Sequence, residues 1–161
     1  MNSQTLKENG FAEFLPLKEL SVQSIPNINS GCVFVLVDKT LSGKAKSDIM
    51  YIGRAKNPVK KIFGGYMANY GGKTIKKIHS ALFNDGYIEK ISISWMANDD
   101  LKAAQKELLD KFKSEHGVYP SWNISKKQNA KPKPKPKAAK TRRVRKPASP
   151  PKGALKKPKP Q

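Results

Sequence analysis

The C-terminal segment of the chain has a composition that prevents it from forming a folded core. Residues 126–161 contain 15 of the 32 lysine and arginine residues, eight of the 12 prolines and no acidic residue. Proline removes backbone hydrogen-bond donors and like charges repel one another, so this segment cannot build a packed helix or sheet. We therefore predict a disordered, extended polycation over residues 126–161 and a folded domain before it.

The remainder of the chain has the composition of one mildly basic domain. Residues 1–125 carry 17 basic and 12 acidic residues, and this length excludes a multidomain enzyme. The single cysteine, Cys32, excludes an internal disulfide and a cysteine-based zinc cluster, and its apolar neighbours favour a core position. The polar N-terminus and the lack of any run of about 20 apolar residues predict a cytoplasmic protein without a membrane span.

Three apolar runs have the patterns of β-strands. Residues 32–37 are apolar throughout, which is typical of a strand buried on both faces. A polar loop leads to a second strand at residues 49–52, which we expect to end at Gly53 and to pair with the first as a hairpin. Residues 91–95 alternate large apolar side chains with serine, which predicts a third strand.

Capping residues and helical spacing predict three helices. The pair Asn-Pro at residues 57–58 is a favourable helix start. A second helix is expected at about residues 74–84, and a third begins after Asp99 or Asp100 and ends near Gly117.

The predicted element order is β-β-α-α-β-α, which indicates an α+β fold: a small three-stranded sheet with packed helices over residues 31–125. Residues 1–30 show no chemistry and predict a weakly structured lead-in with at most a short packing element.

Four motifs occur in a recognisable order along the predicted domain. Near its start, residues 33–38 read Val-Phe-Val-Leu-Val-Asp and residues 51–57 read Tyr-Ile-Gly-Arg-Ala-Lys-Asn. Near its end lie a Leu-Leu-Asp-Lys-Phe run at residues 108–112 and a turn at residues 116–123 that ends in asparagine. Together they resemble the opening motifs, closing helix and closing turn of the GIY-YIG nuclease family, which includes homing endonucleases and the N-terminal nuclease of the bacterial excision-repair incision subunit. The resemblance covers about residues 31–123.

This resemblance implies a Mg²⁺-dependent phosphodiesterase. In the family, tyrosines of the two opening motifs help to activate water and position the phosphate, an arginine on the first helix contacts the scissile phosphate, and a glutamate on the last helix holds the metal. The second tyrosine matches Tyr51 and the closing asparagine matches Asn123. The other three positions differ, with Phe34 for the first tyrosine, Lys61 for the arginine and Gln105 for the glutamate.

The three substitutions keep much of the side-chain size and remove the reactive feature. Lysine lacks the bidentate geometry of arginine, and the amide of Gln105 makes only a weak Mg²⁺ ligand. Because such groups contribute about 10²–10⁴ in rate each, we expect a catalytically weakened or inactive domain that binds DNA. The alternative is an active Mg²⁺-dependent endonuclease, in which a one-residue shift lets Glu107 or a residue of the loop at 38–47 supply a metal ligand.

A run of basic residues predicts contacts with the phosphate backbone of a nucleic acid. Between residues 54 and 84 there are seven basic residues and no acidic one, close to the aromatic residues Tyr66 and Tyr70. The seven are Arg54, Lys56, Lys60, Lys61, Lys73, Lys76 and Lys77.

The tail supplies a second predicted anchor on nucleic acid. Its densest cluster is Arg142, Arg143, Arg145 and Lys146, and its composition is similar to the tails of linker histones and bacterial histone-like proteins. A further alternative is therefore a histone-like architectural protein in which the tail does the binding. We expect DNA as the partner and a nucleoid location, or a nuclear one in a eukaryotic host; no small-molecule cofactor is indicated.

Three conspicuous side chains are expected to be structural. His79 lies on the apolar stripe of the second predicted helix, which favours a half-buried, hydrogen-bonded histidine. Trp95 and Trp122 are expected to pack in the core rather than to stack on bases.

Overall fold

The computed structural model describes residues 1–25, 31–43 and 45–123, which form an α+β fold. Its strands are β1 Leu15–Pro16, β2 Cys32–Asp38, β3 Ile49–Ala55 and β4 Ile91–Ala97. Its helices are α1 Ser3–Glu8, α2 Lys73–Phe83 and α3 Leu101–His116, with a π-helix at Lys60–Met67 and 3₁₀ turns at Leu17–Glu19, Val22–Ser24, Lys39–Leu41 and Tyr87–Glu89. The predicted tail at 126–161, with Arg142, Arg143, Arg145 and Lys146, lies outside the described residues.

The four strands form one antiparallel sheet in the order β1-β4-β2-β3. The hairpin of β2 and β3 is confirmed, and all seven residues of β2 are buried, as its apolar run predicts. The predicted count of three strands is wrong, because β1 pairs with β4 through Leu15 opposite Ile93 and Pro16 opposite Ser92. A two-residue strand is too short to show an alternating pattern, and proline is tolerated at the edge of a sheet because it donates no ladder hydrogen bond.

The N-terminal residues belong to the core of the fold. Leu6 of α1, Phe11 and Phe14 are buried in one cluster with Val33 and Val35 of β2. The short packing element expected within the lead-in at residues 1–30 therefore extends over most of its described part, residues 1–25, and joins the core. In this segment the sequence shows only scattered aromatic and leucine side chains, and tertiary packing is what orders them.

Strand β3 continues through Gly53, where the sequence predicts its end. Gly53 lies opposite Phe34 in the register of β2 and β3. A Cβ atom built at residue 53 would lie 2.4 Å from Cζ of Phe34 and 2.6 Å from Cε1 of Tyr51. Glycine is therefore required here for close packing of two aromatic rings and does not terminate the strand.

The three predicted helix starts are correct in position. Asn57 caps the first, since its Oδ1 accepts a hydrogen bond from the backbone N–H of Lys60 at 2.8 Å. Its continuation is a π-helix, in which the N–H of Ala68 donates to the carbonyl of Phe63, five residues earlier, at 2.9 Å. Asp100 caps α3, because its Oδ1 accepts from the N–H of Ala103 at 2.9 Å.

The sheet carries different layers on its two faces. The π-helix and α2 pack on one face in a cluster that includes Phe34, Tyr51 and Trp95, whereas α1 and α3 pack on the other with Ile52. Trp95 and Trp122 are both buried in the first cluster, which confirms their predicted core role. In the described residues, no helix combines the length and apolar character needed to span a membrane.

Candidate functional site

Strand β3 directs its side chains to opposite faces of the sheet. Tyr51 belongs to the cluster under α2 and the π-helix, whereas Ile52 belongs to the cluster under α3. Arg54 follows the same alternation as Ile52 and lines a groove with residues of α3. The structure therefore divides the predicted site residues into two groups on either side of β3.

The first group, which we call the aromatic cluster, consists of Phe34, Tyr51, Tyr66 and Lys61. The ring centroid of Phe34 lies 6.0 Å from the ring centroid of Tyr51 and also 6.0 Å from that of Tyr66. The rings of Tyr51 and Tyr66 meet edge to face, with centroids 6.3 Å apart and an interplanar angle of 87°. Phe34 and Tyr66 are fully buried, so the cluster is part of the core.

The two tyrosine hydroxyls of the aromatic cluster are held in their protonated form. Burial raises the pKa of Tyr66, and the neighbouring Tyr51 raises it further. Burial also raises the pKa of Tyr51, against smaller lowering effects of the Tyr66 hydroxyl and the positive charge of Arg54. The Tyr66 hydroxyl lies near Tyr51 and has no hydrogen-bond partner of acceptable geometry in the described part of the chain.

Two side chains contact Tyr66, one from the same π-helix and one from α2. The ammonium group of Lys61 lies 5.7 Å from the centroid of the Tyr66 ring, which is a cation–π contact. Nδ1 of His79 lies 2.8 Å from the carbonyl oxygen of Tyr66, and since a carbonyl only accepts, Nδ1 carries the proton. His79 is half-buried, as predicted, and its hydrogen bond ties α2 to the π-helix.

The second group, which we call the amide groove, contains Gln105 and Asn123. The Asn123 side chain accepts from the backbone N–H of Ile52 at 2.8 Å and donates to the Ile52 carbonyl at 2.9 Å. Nε2 of Gln105 donates to the same carbonyl at 3.0 Å. Because β3 is the last strand of the sheet, these two amides satisfy backbone groups that a further strand would otherwise bind.

The amide groove has an excess of positive charge. It encloses about 400 Å³. It is lined by Arg54, Lys102, Gln105, Lys106, Leu109, Asp110, Tyr119 and Asn123. Three of these residues are cationic, and one, Asp110, carries a carboxylate. Such a groove suits an anion such as a phosphate better than a divalent cation, which needs several oxygen ligands of negative charge.

Residues 1–25, 31–43 and 45–123 contain no group of three or more histidine, cysteine or acidic residues that could hold a metal. The predicted weak metal ligand, Gln105, uses its amide N–H on the Ile52 carbonyl. The residues present therefore do not fit a Mg²⁺ ion in the amide groove.

Six of the seven predicted phosphate-binding residues have cationic groups that no described carboxylate pairs with. Lys56, Lys60, Lys73, Lys76 and Arg54 are exposed and Lys61 is half-buried, and none forms a salt bridge in the described ranges. The seventh, Lys77, is engaged in the fold: its ammonium donates to the carbonyls of Ser121 at 3.4 Å and Trp122 at 3.2 Å.

The sequence reasoning did not assign a role to four side chains of these two groups. Tyr66 follows Val59 and Ile62 at helical spacing, which is the signal that places it against the core. Lys102 and Lys106 are four residues apart after the Asp100 cap, so they share one face of α3. Tyr119 had no comparable signal, because it lies in an irregular turn.

No protein-family model matches the chain, and neither a curated protein nor a solved structure shows significant similarity to it.

Proposed function

We propose that this protein binds nucleic acid, with DNA as the expected partner, through a GIY-YIG-like domain that is catalytically weakened or inactive. The observation that carries the proposal is the set of six cationic side chains between residues 54 and 76 without a described acidic partner. A folded protein gains nothing in stability from concentrating like charges, whereas a polyanion neutralises them. The polycationic tail at 126–161 adds a second attachment to the same polyanion.

The start of α2 is the best phosphate-binding element within this set. Lys73 and Lys76 lie in its first turn, which contains no acidic residue. The backbone N–H groups and dipole of a helix N-terminus attract negative charge, so lysines at this end are unfavourable unless an anion is bound. A phosphate near Lys73 would benefit from both effects.

Three features support weakened catalysis. Phe34 contributes no hydroxyl, and burial raises the pKa of the Tyr51 and Tyr66 hydroxyls, which makes them harder to ionise. Gln105 donates to backbone, and the groove around it is rich in cations that would repel Mg²⁺. The general base and the metal position of a phosphodiesterase therefore lack suitable groups.

The binding proposal is tested by removing charge at matched positions. Lys60→Gln, Lys73→Gln and Lys76→Gln are combined in one variant, and Lys7→Gln, Lys90→Gln and Lys111→Gln, exposed lysines elsewhere, form the control. Both triple variants lower the net charge equally. They are compared with the parent as full chains and as residues 1–125, since both core clusters lie before residue 123.

Affinity for a duplex and a single-stranded oligonucleotide is measured by fluorescence anisotropy over a salt series. In residues 1–125 we expect the first triple variant to weaken binding about 10²–10³-fold at 0.1 M salt and to reduce the slope of log affinity against log salt by about 3. The control should change affinity far less. Equal losses in the two variants would contradict the proposed surface, and no binding by residues 1–125 would favour the architectural alternative.

A further inference from the structure

We infer that Tyr70 is a stacking platform for an unpaired base, so that the domain prefers single-stranded or locally unpaired nucleic acid over an intact duplex. The inference rests on the proposed nucleic-acid binding and specifies the form of the ligand. It is carried by the exposure of Tyr70, by the fixed turn that presents it and by the lysines on both sides of it.

Tyr70 is exposed to a degree that core packing does not explain. Its relative exposure is 85%, compared with 45% for Phe83, the other large exposed aromatic of the described residues. Tyr51 and Tyr66, by contrast, are buried among other rings. An aromatic ring held in water gains free energy when a flat apolar partner covers it, and every nucleobase offers such a face.

The turn that carries Tyr70 has a defined backbone conformation. The N–H of Tyr70 donates to the carbonyl of Gly64 at 3.1 Å. Asn69 and Gly71 on either side have positive φ angles of 59° and 154°. A Cβ atom at residue 71 would lie 2.3 Å from Cδ1 of Ile75, so the turn packs closely on α2. The backbone that presents the ring therefore needs no reordering when a base stacks on it, which lowers the entropic cost of stacking.

Cationic side chains flank the Tyr70 turn on both sides. Cγ of Lys60 lies 3.9 Å from a Cβ built at Gly64, the residue whose carbonyl binds the Tyr70 N–H. Lys73 is three residues further along the chain, as the first residue of α2, and Lys76 follows in the same turn of that helix. Lysines thus lie on the helical segments before and after the Tyr70 turn, so a single strand that crosses the turn could place its phosphates on the lysines and a base on the ring.

An intact duplex cannot use this arrangement fully. Its bases are stacked on one another and expose only their edges in the grooves, so the face of the Tyr70 ring would have no base to cover it. Contacts of the lysines with duplex phosphates would remain. The expected signature is therefore a selective contribution of Tyr70 to single-strand binding.

The test uses the full chain with Tyr70→Ala and Tyr70→Trp, and Phe83→Ala as the control at an exposed aromatic position. The probe is an oligothymidine with one 2-aminopurine, whose fluorescence falls when its base stacks, and the same sequence in a duplex. We expect the parent and Tyr70→Trp to quench the single-stranded probe, and Tyr70→Ala to lose that quenching and about tenfold in single-strand affinity at 0.3 M salt. Duplex affinity and the Phe83→Ala variant should change little.

Quenching by Tyr70→Ala equal to that of the parent, or an equal loss of single-strand and duplex affinity, would overturn the inference. The Lys60, Lys73 and Lys76 triple variant separates this failure from failure of the proposed function. If that variant weakens binding while Tyr70→Ala changes nothing, only the stacking role is wrong. If neither variant changes binding, the proposed surface is wrong as well.

Discussion

The two sides of strand β3 place neighbouring residues of one motif in very different surroundings. On one side the aromatic cluster buries Tyr51 against Phe34 and Tyr66, with the Tyr66 hydroxyl unpartnered among the described residues. On the other side the amide groove is open and cationic, and its amides bind the backbone of Ile52. Tyr51 thus packs in the core on one face of β3, whereas the backbone of the adjacent Ile52 is bound at the sheet edge by the amides of Gln105 and Asn123.

The difference shows which of the matching positions have a structural role in this fold. Gln105 and Asn123 still hold the edge of β3, and Gly53 still allows two rings to pack, so both faces of the strand keep a structural function. The hydroxyl, the guanidinium and the carboxylate implied by the resemblance have no such function, and none of them is present at Phe34, Lys61 or Gln105. Structural roles therefore account for the matching positions better than a complete reaction centre does.

The largest loss of stability that a single substitution can cause here is expected from filling the space at Gly53 on the aromatic side. In Gly53→Ala the new methyl group would lie 2.4 Å from the Phe34 ring, so Phe34 or Tyr51 must move. We expect a loss of about 1–3 kcal/mol in the free energy of unfolding, measured with urea. Gly64→Ala is the control, because a Cβ there meets only Cγ of Lys60, at 3.9 Å; it should be neutral or stabilising. Equal stability of the two variants would show that the rings are not packed as described.

The next effect concerns the amides on the other side of β3. Asn123→Ala removes two hydrogen bonds to Ile52 and should cost about 2 kcal/mol, whereas Gln105→Ala removes one and should cost about 1 kcal/mol. Since both amides donate to the same carbonyl, the double variant should lose more than the sum of the two single variants, because only then is that carbonyl left without a donor. Strict additivity in urea unfolding would contradict a shared role.

The smallest effect is expected at the unpartnered hydroxyl of Tyr66. Tyr66→Phe removes a buried polar group without a described partner, so the free energy of unfolding should stay constant or rise by up to about 1 kcal/mol at pH 8. Burial raises the pKa of this hydroxyl above its ordinary value of 10.0, which means that the folded state holds the proton more tightly than the unfolded chain does. Its contribution to stability is complete below pH 10 and is lost as pH rises towards the folded pKa.

Urea unfolding of the parent and Tyr66→Phe at pH 9 and pH 11 measures this contribution. The variant should lose less stability than the parent between the two values, because one titrating group has been removed. An equal or steeper loss in the variant would mean that the folded protein does not raise the pKa of the Tyr66 hydroxyl.

The strands and helices of the central domain follow from local pattern, but the pairing of β1 with β4 does not. Apolar runs, helical spacing and the Asp100 cap predict β2, α2 and α3 to within one or two residues, and Asn57 marks the start of the segment that becomes the π-helix. The contribution of Pro16 to the sheet depends on its pairing with Ser92, which is distant in sequence. Such pairings leave no local signal.

Some residues of the candidate site carry a signal in the sequence, but their contacts do not. Period-two alternation along β3 already separates Tyr51 from Arg54, and the charge run from Arg54 to Lys77 is visible in the sequence. The hydrogen bond from the Gln105 amide to the Ile52 carbonyl depends on how α3 packs against β3. The hydrogen bond from Lys77 to the Trp122 carbonyl depends on how the turn at residues 121–123 closes over the sheet edge. These contacts decide what each side chain can do chemically.

A comparison of three full-length proteins separates a weakened site from a working one. They are the parent, Tyr51→Phe, which removes a hydroxyl of the aromatic cluster, and Gln105→Glu, which places a carboxylate in the amide groove. Gain of Mg²⁺-dependent nicking in Gln105→Glu alone would assign the loss of activity to the metal position. Absence of nicking in that variant is expected if the three cations of the groove still repel Mg²⁺.

The most direct test of binding without cutting is incubation of the parent with supercoiled plasmid and Mg²⁺ or Mn²⁺. Gels are run before and after the protein is removed by protease and detergent. We predict a retarded plasmid before removal and intact supercoiled plasmid after it. Metal-dependent open circles formed by the parent and abolished in Tyr51→Phe would contradict the account and show that the aromatic cluster is part of a working nuclease.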